Sequence, residues 1–337
     1  MAYPAKNVFI IAEAGVNHNG DPDLAFKLVD AAFKAGVDAV KFQTFKTEKL
    51  LTRNAISAEY QTLNTGGGKS QYRMIKDLEL SYPDFRRIQA HCADRGIRFL
   101  STPDEEDSLD FLISIGMELI KVGSGEVENI PFLRRVGSKG KDVILSTGMS
   151  DMAQVETAVR TLTDAGATSV AILHCTTAYP CPMVDVNLRA MLSLKQAFGG
   201  VVGYSDHTNG IEISVAAVAM GARIIEKHFT LDKSMPGPDH KASLDPAELA
   251  ALVRAIRNVE AALGNGEKAP TAAEKDVVAA VRKSVVAKVP IAKGTVFTEE
   301  NLTVKRAGGK GISSANWDLV LGRLAGRDYG EDETVEM

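Results

Sequence analysis

Eight short apolar runs before residue 230 constrain this chain more than any other feature. They are VFII from Val8, AVKF from Ala39, IRFL from Ile97, LIKV from Leu119, VILS from Val143, VAILH from Val170, VVGY from Val201 and RIIEKHF from Arg223. Each is strand-length and rich in β-branched residues. Amphipathic stretches separate them. One is PDLAFKLVDAAFKAG from Pro22, with apolar residues at helical spacing and Gly36 placed to end the helix; another is PAELAALVRAIRNVEAALG from Pro246. Eight strand-then-helix units define an α/β chain, and their number is that of a (β/α)₈ TIM barrel. The competing doubly wound sheet usually has fewer strands and a glycine-rich phosphate loop after the first one.

Two stretches fall outside this rhythm. Phe45 to Ser81 is a long, mostly polar insertion after the second strand, on the face where barrel active sites lie. After Gly264 the composition changes to a polar connector, NGEKAPTAAEKD, and then to short β-like runs broken by glycine turns. The expected organisation is a catalytic barrel over 1–264, a linker over 265–281 and a small β-rich domain over 282–337.

Composition excludes several classes. The 337 residues carry 39 basic and 43 acidic side chains, a formal net charge of −4, so no basic field points to nucleic acid or to an anionic membrane. Three cysteines, Cys92, Cys175 and Cys181, are not a disulfide framework; they read as inert thiols in a reducing compartment. The N-terminal MAYPAKNVFIIAEAG has no charged segment followed by a long apolar one, and no run reaches the ~18 apolar residues of a membrane span. A soluble cytoplasmic protein is expected.

Polar residues at the C-terminal ends of barrel strands carry function. Nearly every strand here delivers one: Glu13; Lys41 and Gln43; Ser101 and Thr102; Lys121 with Ser124; Ser146 and Thr147; His174; Ser205, Asp206 and His207; Glu226 and His228. A lone strand-end histidine is ordinarily a satisfied core residue. His207 and His228 end adjacent strands, however, and two imidazoles leaning into one mouth suit a divalent first-row metal. Asp206, Glu226 and Asp239 are placed to ligate or orient it. Glu226 and His228, two apart, share a strand face, which makes Glu226 a candidate general base for water; its bland alternative is an ion pair with Lys41. Lys41 and Lys121, with Ser124, Ser146 and Ser205, form a pocket for a phosphate plus a carboxylate. The rival role for either lysine is a Schiff base. His174 reads as a structural barrel residue and His91 as a surface one, while His18 and His240 stay open. GGGKS at Gly66 to Ser70 lacks the first glycine of a phosphate-binding loop and does not join a strand to a helix.

The motifs IAEAGVNHNGD, VKFQTF, FLSTP, IKVGSGE, ILSTGM, LHCTTAYP, GYSDHT, IIEKHFTLD, GPDHKASL and KRAGGKGIS follow one another along nearly the whole chain. In that order they resemble the N-acylneuraminate (sialic acid) synthase family. The resemblance implies a TIM barrel followed by an antifreeze-like SAF (β-clip) domain, in a domain-swapped homodimer. It implies condensation of phosphoenolpyruvate with an N-acylated mannosamine-type aldehyde, with Mn²⁺ as first choice of metal and Mg²⁺, Co²⁺ or Zn²⁺ as alternatives. Carried over residue by residue, His207 and His228 bind the metal, and Lys41, Lys121, Ser124, Ser146 and Ser205 hold phosphoenolpyruvate. Glu13, Thr102, Tyr179 and Asp239 line the sugar site, Glu226 handles the water, and Arg306 reaches the sugar from the partner subunit. Thr177 stands where sialic acid synthases carry Asn. With AEYQ at Ala58 and KASLDPAEL at Lys241, it points toward the branch that makes diacetyllegionaminate. Other readings are a related phosphoenolpyruvate-dependent sugar-acid synthase, a Schiff-base aldolase, and a sugar-binding module built on the SAF domain.

Overall fold

The computed structural model describes residues 7–56 and 70–337. The AEYQ segment and most of GGGKS lie outside the described residues. The eight runs form strands β1 (Phe9–Gly15), β2 (Ala39–Thr44), β3 (Arg98–Pro103), β4 (Leu119–Val122), β5 (Asp142–Ser146), β6 (Ser169–His174), β7 (Val202–Asp206) and β8 (Ile224–His228). Their ladders are all parallel, in the order β3-β2-β1-β8-β7-β6-β5-β4, and β3 packs beside β4 to complete the ring. Helices α1 (Pro22–Ala35), α2 (Tyr82–Arg95), α3 (Glu106–Ser114), α4 (Ile130–Gly137), α5 (Met152–Asp164), α6 (Arg189–Phe198), α7 (Glu212–Ala219) and α8 (Pro246–Leu263) follow the eight strands in turn. The fold is a TIM barrel. Two short helices, Thr47–Leu50 and Gln71–Leu78, lie in the insertion after β2.

Local chemistry sets the helix ends. Asp21 caps α1 by accepting from the Asp23 amide, Pro22 opens the first turn, and Gly36 ends it at φ 81°. Reciprocal capping boxes, Asp151 with Gln154 and Asp245 with Glu248, start α5 and α8. Each cap contributes about 1 kcal/mol.

The period-2 alternation of the strands makes two cores. Phe9, Ile11, Ala39, Leu100, Leu119, Ile144, Ala171, Leu173 and Ile224 fill the barrel interior. The residues between them, such as Ile10, Val40, Ile120, Val143, Leu145 and Ile225, pack outward against the helices. Farther along each strand, the inward face changes character. Phe9 and Ile11 are followed by Glu13, Ala39 by Lys41, Leu119 by Lys121, Ile144 by Ser146, and Ile224 by Glu226 and His228. The barrel is thus apolar below and charged at its mouth. On β7, Gly203 lets β8 come close: a Cβ there would stand 2.3 Å from the Ile224 carbonyl oxygen.

The second unit begins at Asn265. Part of the stretch read as a linker is helical, Lys275–Val281. Beyond it, β9 (Lys283–Ala287) pairs antiparallel with β10 (Leu302–Arg306), and isolated bridges such as Val286 to Thr334 and Ile291 to Tyr329 extend the β framework. Val285, Ala287, Ile291, Phe297, Leu302, Val320, Tyr329 and Val335 make its own small core. Among the described residues no helix is long and apolar enough to cross a membrane.

Candidate active site

Four buried charges of alternating sign line the mouth. Lys41 Nζ lies 2.7 Å from Glu13 Oε2 and 3.8 Å from Glu226 Oε2. Lys121 Nζ lies 3.5 Å from Glu226 Oε1. Hydroxyls complete the array: Lys41 donates to Thr102 Oγ1 at 2.9 Å, Lys121 to Ser146 Oγ at 2.8 Å, and Ser205 Oγ to Glu226 Oε1 at 3.1 Å. Gln43, one inward step above Lys41, donates to Glu13 Oε1 at 3.3 Å. Isolated buried lysines would be costly, so their pairing is what the low-dielectric site requires.

The two carboxylates are not equivalent. Burial pushes Glu13 up to about 7, only partly opposed by Lys41. Burial would raise Glu226 too, but the Lys121 and Lys41 charges outweigh it and hold Glu226 down at about 2. Burial pulls Lys121 below the usual ammonium range; for Lys41 the same burial is overcome by Glu13 and Glu226, and its value is raised. Glu226, read from sequence as the base for water, is therefore the poorer proton acceptor of the two. The ion pair with Lys41, set beside that role as the bland alternative, is present and is joined by a second lysine.

A ring cluster adjoins this array. His207 and His228 lie 5.6 Å apart by centroid, and the Tyr179 ring packs 4.3 Å from His207 and edge-on to His228 at 5.6 Å. His207 Nδ1 donates to the Thr176 carbonyl at 2.7 Å, which leaves Nε2 with a free lone pair, 3.5 Å from Ser205 Oγ. His228 Nδ1 is buried without a hydrogen-bond partner. One imidazole with its tautomer set and one with an orphaned nitrogen fit a divalent cation. Among the described residues no third His, Cys, Asp or Glu joins them in a metal-sized group. Such an ion would keep open positions for water and substrate.

Ser124 reaches the mouth from the turn after β4. Its Oγ accepts from the Gly148 amide at 2.9 Å and touches Cys175 Sγ at 3.3 Å. A Cβ on Gly148 would fall 2.1 Å from Thr177 Oγ1, so the backbone here approaches as only glycine permits. Cys175, read as a plain buried thiol, thus lies against Ser124 at the mouth, and burial raises it above the ordinary thiol range. Its position just past the end of β6 was the available signal.

Other predicted residues lie elsewhere. Asp206 does not face the mouth: alternation turns it outward to Lys227, at 3.0 Å, so it is no ligand. Ser101 also points outward, bonding Thr44 at 2.7 Å, and Thr147 Oγ1 is taken by the Leu173 carbonyl. Asp239 sits in the loop after β8, buried, with its carboxyl pushed up to about 6 by desolvation. Arg306 ends β10 in the second unit and is exposed. His174 bonds the Val186 carbonyl. His240 bonds Thr230 and Asn19, and His18 Nδ1 accepts from the Gly20 amide, so both brace loops. His91 is more than a surface residue, being partly buried and 2.9 Å from Asp30.

Fold and mouth together define a barrel enzyme whose paired cations and open imidazoles suit an anion and a carbonyl compound side by side. The chain belongs to the NeuB family, whose model matches residues 28–268, and an SAF domain follows over residues 282–336. It is similar to the N,N'-diacetyllegionaminic acid synthase of Campylobacter jejuni, 48% identical over 98% of this chain and 99% of that protein. It is also similar to the N,N'-diacetyllegionaminic acid synthase of Legionella pneumophila, 46% identical over 93% of this chain and 89% of that one. Among solved structures, the N-acetylneuraminic acid synthetase of Leptospira borgpetersenii, in complex with citrate, is 36% identical with a TM-score of 0.73, covering 81% of this chain and 90% of that one.

Proposed function

We propose that this protein is a cytoplasmic N,N'-diacetyllegionaminate synthase, condensing phosphoenolpyruvate with 2,4-diacetamido-2,4,6-trideoxymannose and water and releasing phosphate. The observation that carries the chemistry is the buried Glu13–Lys41–Glu226–Lys121 array beside two imidazoles with uncommitted nitrogens. The choice of acceptor rests on the two diacetyllegionaminic acid synthases among its relatives.

Lys41, Lys121, Ser124, Ser146 and Ser205 hold the phosphate and carboxylate of phosphoenolpyruvate, charge-assisted bonds in a site shielded from water. His207 and His228 would hold a divalent ion, Mn²⁺ by preference, which would supply Lewis-acid polarisation of the acceptor aldehyde. Carbon C3 of the enol forms the new bond to the aldehyde carbon, and the carbonyl pair moves to oxygen. C2 is left with cationic character. A water oxygen adds to C2 and gives its proton to Glu13, the carboxylate with the higher proton affinity. The bond from C2 to the phosphate oxygen then breaks, the C2 hydroxyl gives its proton to the departing phosphate as C2 becomes a ketone, and Glu13 returns its proton to the new alkoxide, which restores the site. Glu226 stays ionised and balances the two lysines. Thr102, Tyr179 and Asp239 line the acceptor side.

The test is phosphate release from phosphoenolpyruvate across a panel of N-acylated hexosamines, with product mass measured. The diacetamido acceptor should give the highest kcat/KM. N-acetylmannosamine as the best acceptor would make the chain an N-acetylneuraminate synthase instead. The lowered Lys121 keeps one rival measurable: borohydride trapping of a pyruvate adduct on Lys121 would make it a Schiff-base aldolase.

The SAF domain supplies Arg306 in trans within a homodimer on this reading, its guanidinium serving an acyl carbonyl of the sugar. The turn that follows it is built for close approach, with Gly308, Gly309 and Gly311 at φ 61°, 80° and 77°. Arg306→Ala and His228→Ala chains should each be nearly inactive. After subunit exchange their mixture should recover about a quarter of wild-type activity, since half the dimers would be mixed and one of their two sites intact. No recovery, with mixed dimers demonstrated by mass, would place Arg306 in cis or outside catalysis.

A further inference from the structure

A fully buried ion pair that the chemistry leaves unused lies behind the mouth, on the outer face of the barrel. Asp206 sits between Ser205 and His207, and Lys227 between Glu226 and His228. Alternation sends the flanking residues inward and these two outward. They are direct partners in the β7–β8 ladder, and their side chains, both 0% exposed, meet at 3.0 Å. Lys227 Nζ also donates to the Thr208 carbonyl at 2.5 Å. Asp206 Oδ1 accepts from the Thr208 amide at 2.8 Å and from Thr208 Oγ1 at 2.7 Å, and Oδ2 accepts from Ser214 Oγ at 2.6 Å. The residue that follows His207 is thereby tied by its amide, its carbonyl and its hydroxyl.

Stability alone is a poor account of this pair. Taking both ions out of water is costly, and well-packed apolar residues often replace such a pair without loss. What apolar residues cannot supply is a directed lock. The β7–β8 seam has two such locks, Ser205 to Glu226 inside and Asp206 to Lys227 outside. Both imidazoles hang from this seam, one on each strand. His207 is held at its ring by the Thr176 carbonyl and at its backbone by the turn that Asp206 and Lys227 brace.

We infer that Asp206 and Lys227 are positioning residues for the divalent metal site, setting from behind the barrel wall the relative placement of His207 and His228. This rests on the metal reading above. Groups that orient metal ligands typically change metal affinity by about 10–100-fold when removed.

The test is Mn²⁺ titration of the full-length protein against a competing chelator dye, with thermal unfolding and phosphoenolpyruvate affinity measured alongside. The Asp206→Leu/Lys227→Met double variant keeps the packing and removes both charges. It should unfold within a few degrees of wild type and bind phosphoenolpyruvate within about threefold, yet bind Mn²⁺ about tenfold or more weakly. A merely structural pair would do the reverse: a lowered unfolding midpoint with Mn²⁺ affinity unchanged, which overturns the inference. Should the double variant not fold, Asp206→Asn, which keeps the shape and the Thr208 bonds, decides: a loss of Mn²⁺ affinity of about threefold or more supports positioning, and none overturns it. Wild-type protein that binds no Mn²⁺ sinks the metal reading and this inference together. Wild-type binding with an unaltered variant sinks this inference alone.

Discussion

Replacing Glu13 by Gln should lower turnover by about 10²-fold or more and leave phosphoenolpyruvate affinity within about threefold. Glutamine keeps the size and the hydrogen-bonding shape and removes only the capacity to take a proton. Glu13 has one close ammonium, Lys41, and burial raises it to about 7, so near neutrality it exchanges a proton at little cost. Glu226 is different. Two lysines and the Ser205 hydroxyl engage it, and it is held at about 2, where a carboxylate has little affinity for a proton from water. Its removal should act through charge: in Glu226→Gln two buried ammoniums lose a counter-ion, and an anionic ligand should bind more tightly as turnover falls. Pre-steady-state phosphate release together with equilibrium binding of phosphoenolpyruvate separates the two roles. Full turnover in Glu13→Gln beside a collapse in Glu226→Gln, with ligand affinity unmoved, would return the base to Glu226.

The proposed exchange of roles between Glu13 and Glu226 bears on what a sequence holds and what it does not. The barrel was legible because each strand is an apolar run and each helix an amphipathic one, and both periods are local. The mouth was legible because Lys41, Lys121, Glu226 and His228 interrupt apolar runs at positions where charge is expensive. Facing is legible in principle, from the parity of each strand. Asp206 and Ser101 belong to the outward parity of β7 and β3, which counting every polar strand end as functional ignores. The proton affinities were not legible. Glu226 is depressed because Lys121 on β4 and Lys41 on β2 both reach β8 across the barrel, distances that no local pattern encodes. Nor could spacing tell that Cys175 would rest against Ser124, since the contact joins the turn after β4 to the end of β6.

Removal of either imidazole should abolish metal binding and turnover together. His228→Ala and His207→Ala should keep the unfolding behaviour of wild type, because neither ring is part of the apolar interior below the mouth. Bound Mn²⁺, read by metal analysis after gel filtration, should fall to background in both. Turnover should drop by about 10²–10³-fold, the equivalent of losing several kcal/mol of charge stabilisation at the aldehyde. The two variants should nevertheless differ. His207 donates to the Thr176 carbonyl and packs on Tyr179, so its loss also loosens the loop after β6 and should raise the KM of the sugar acceptor. His228 has no such bond at Nδ1, and its loss should leave that loop in place. Equal effects on acceptor KM would mean that Thr176 and Tyr179 do not depend on the ring. Full activity of His228→Ala in chelator-treated buffer would remove the metal from the mechanism, and the aldehyde would then have to be polarised by the lysines and hydroxyls of the mouth alone.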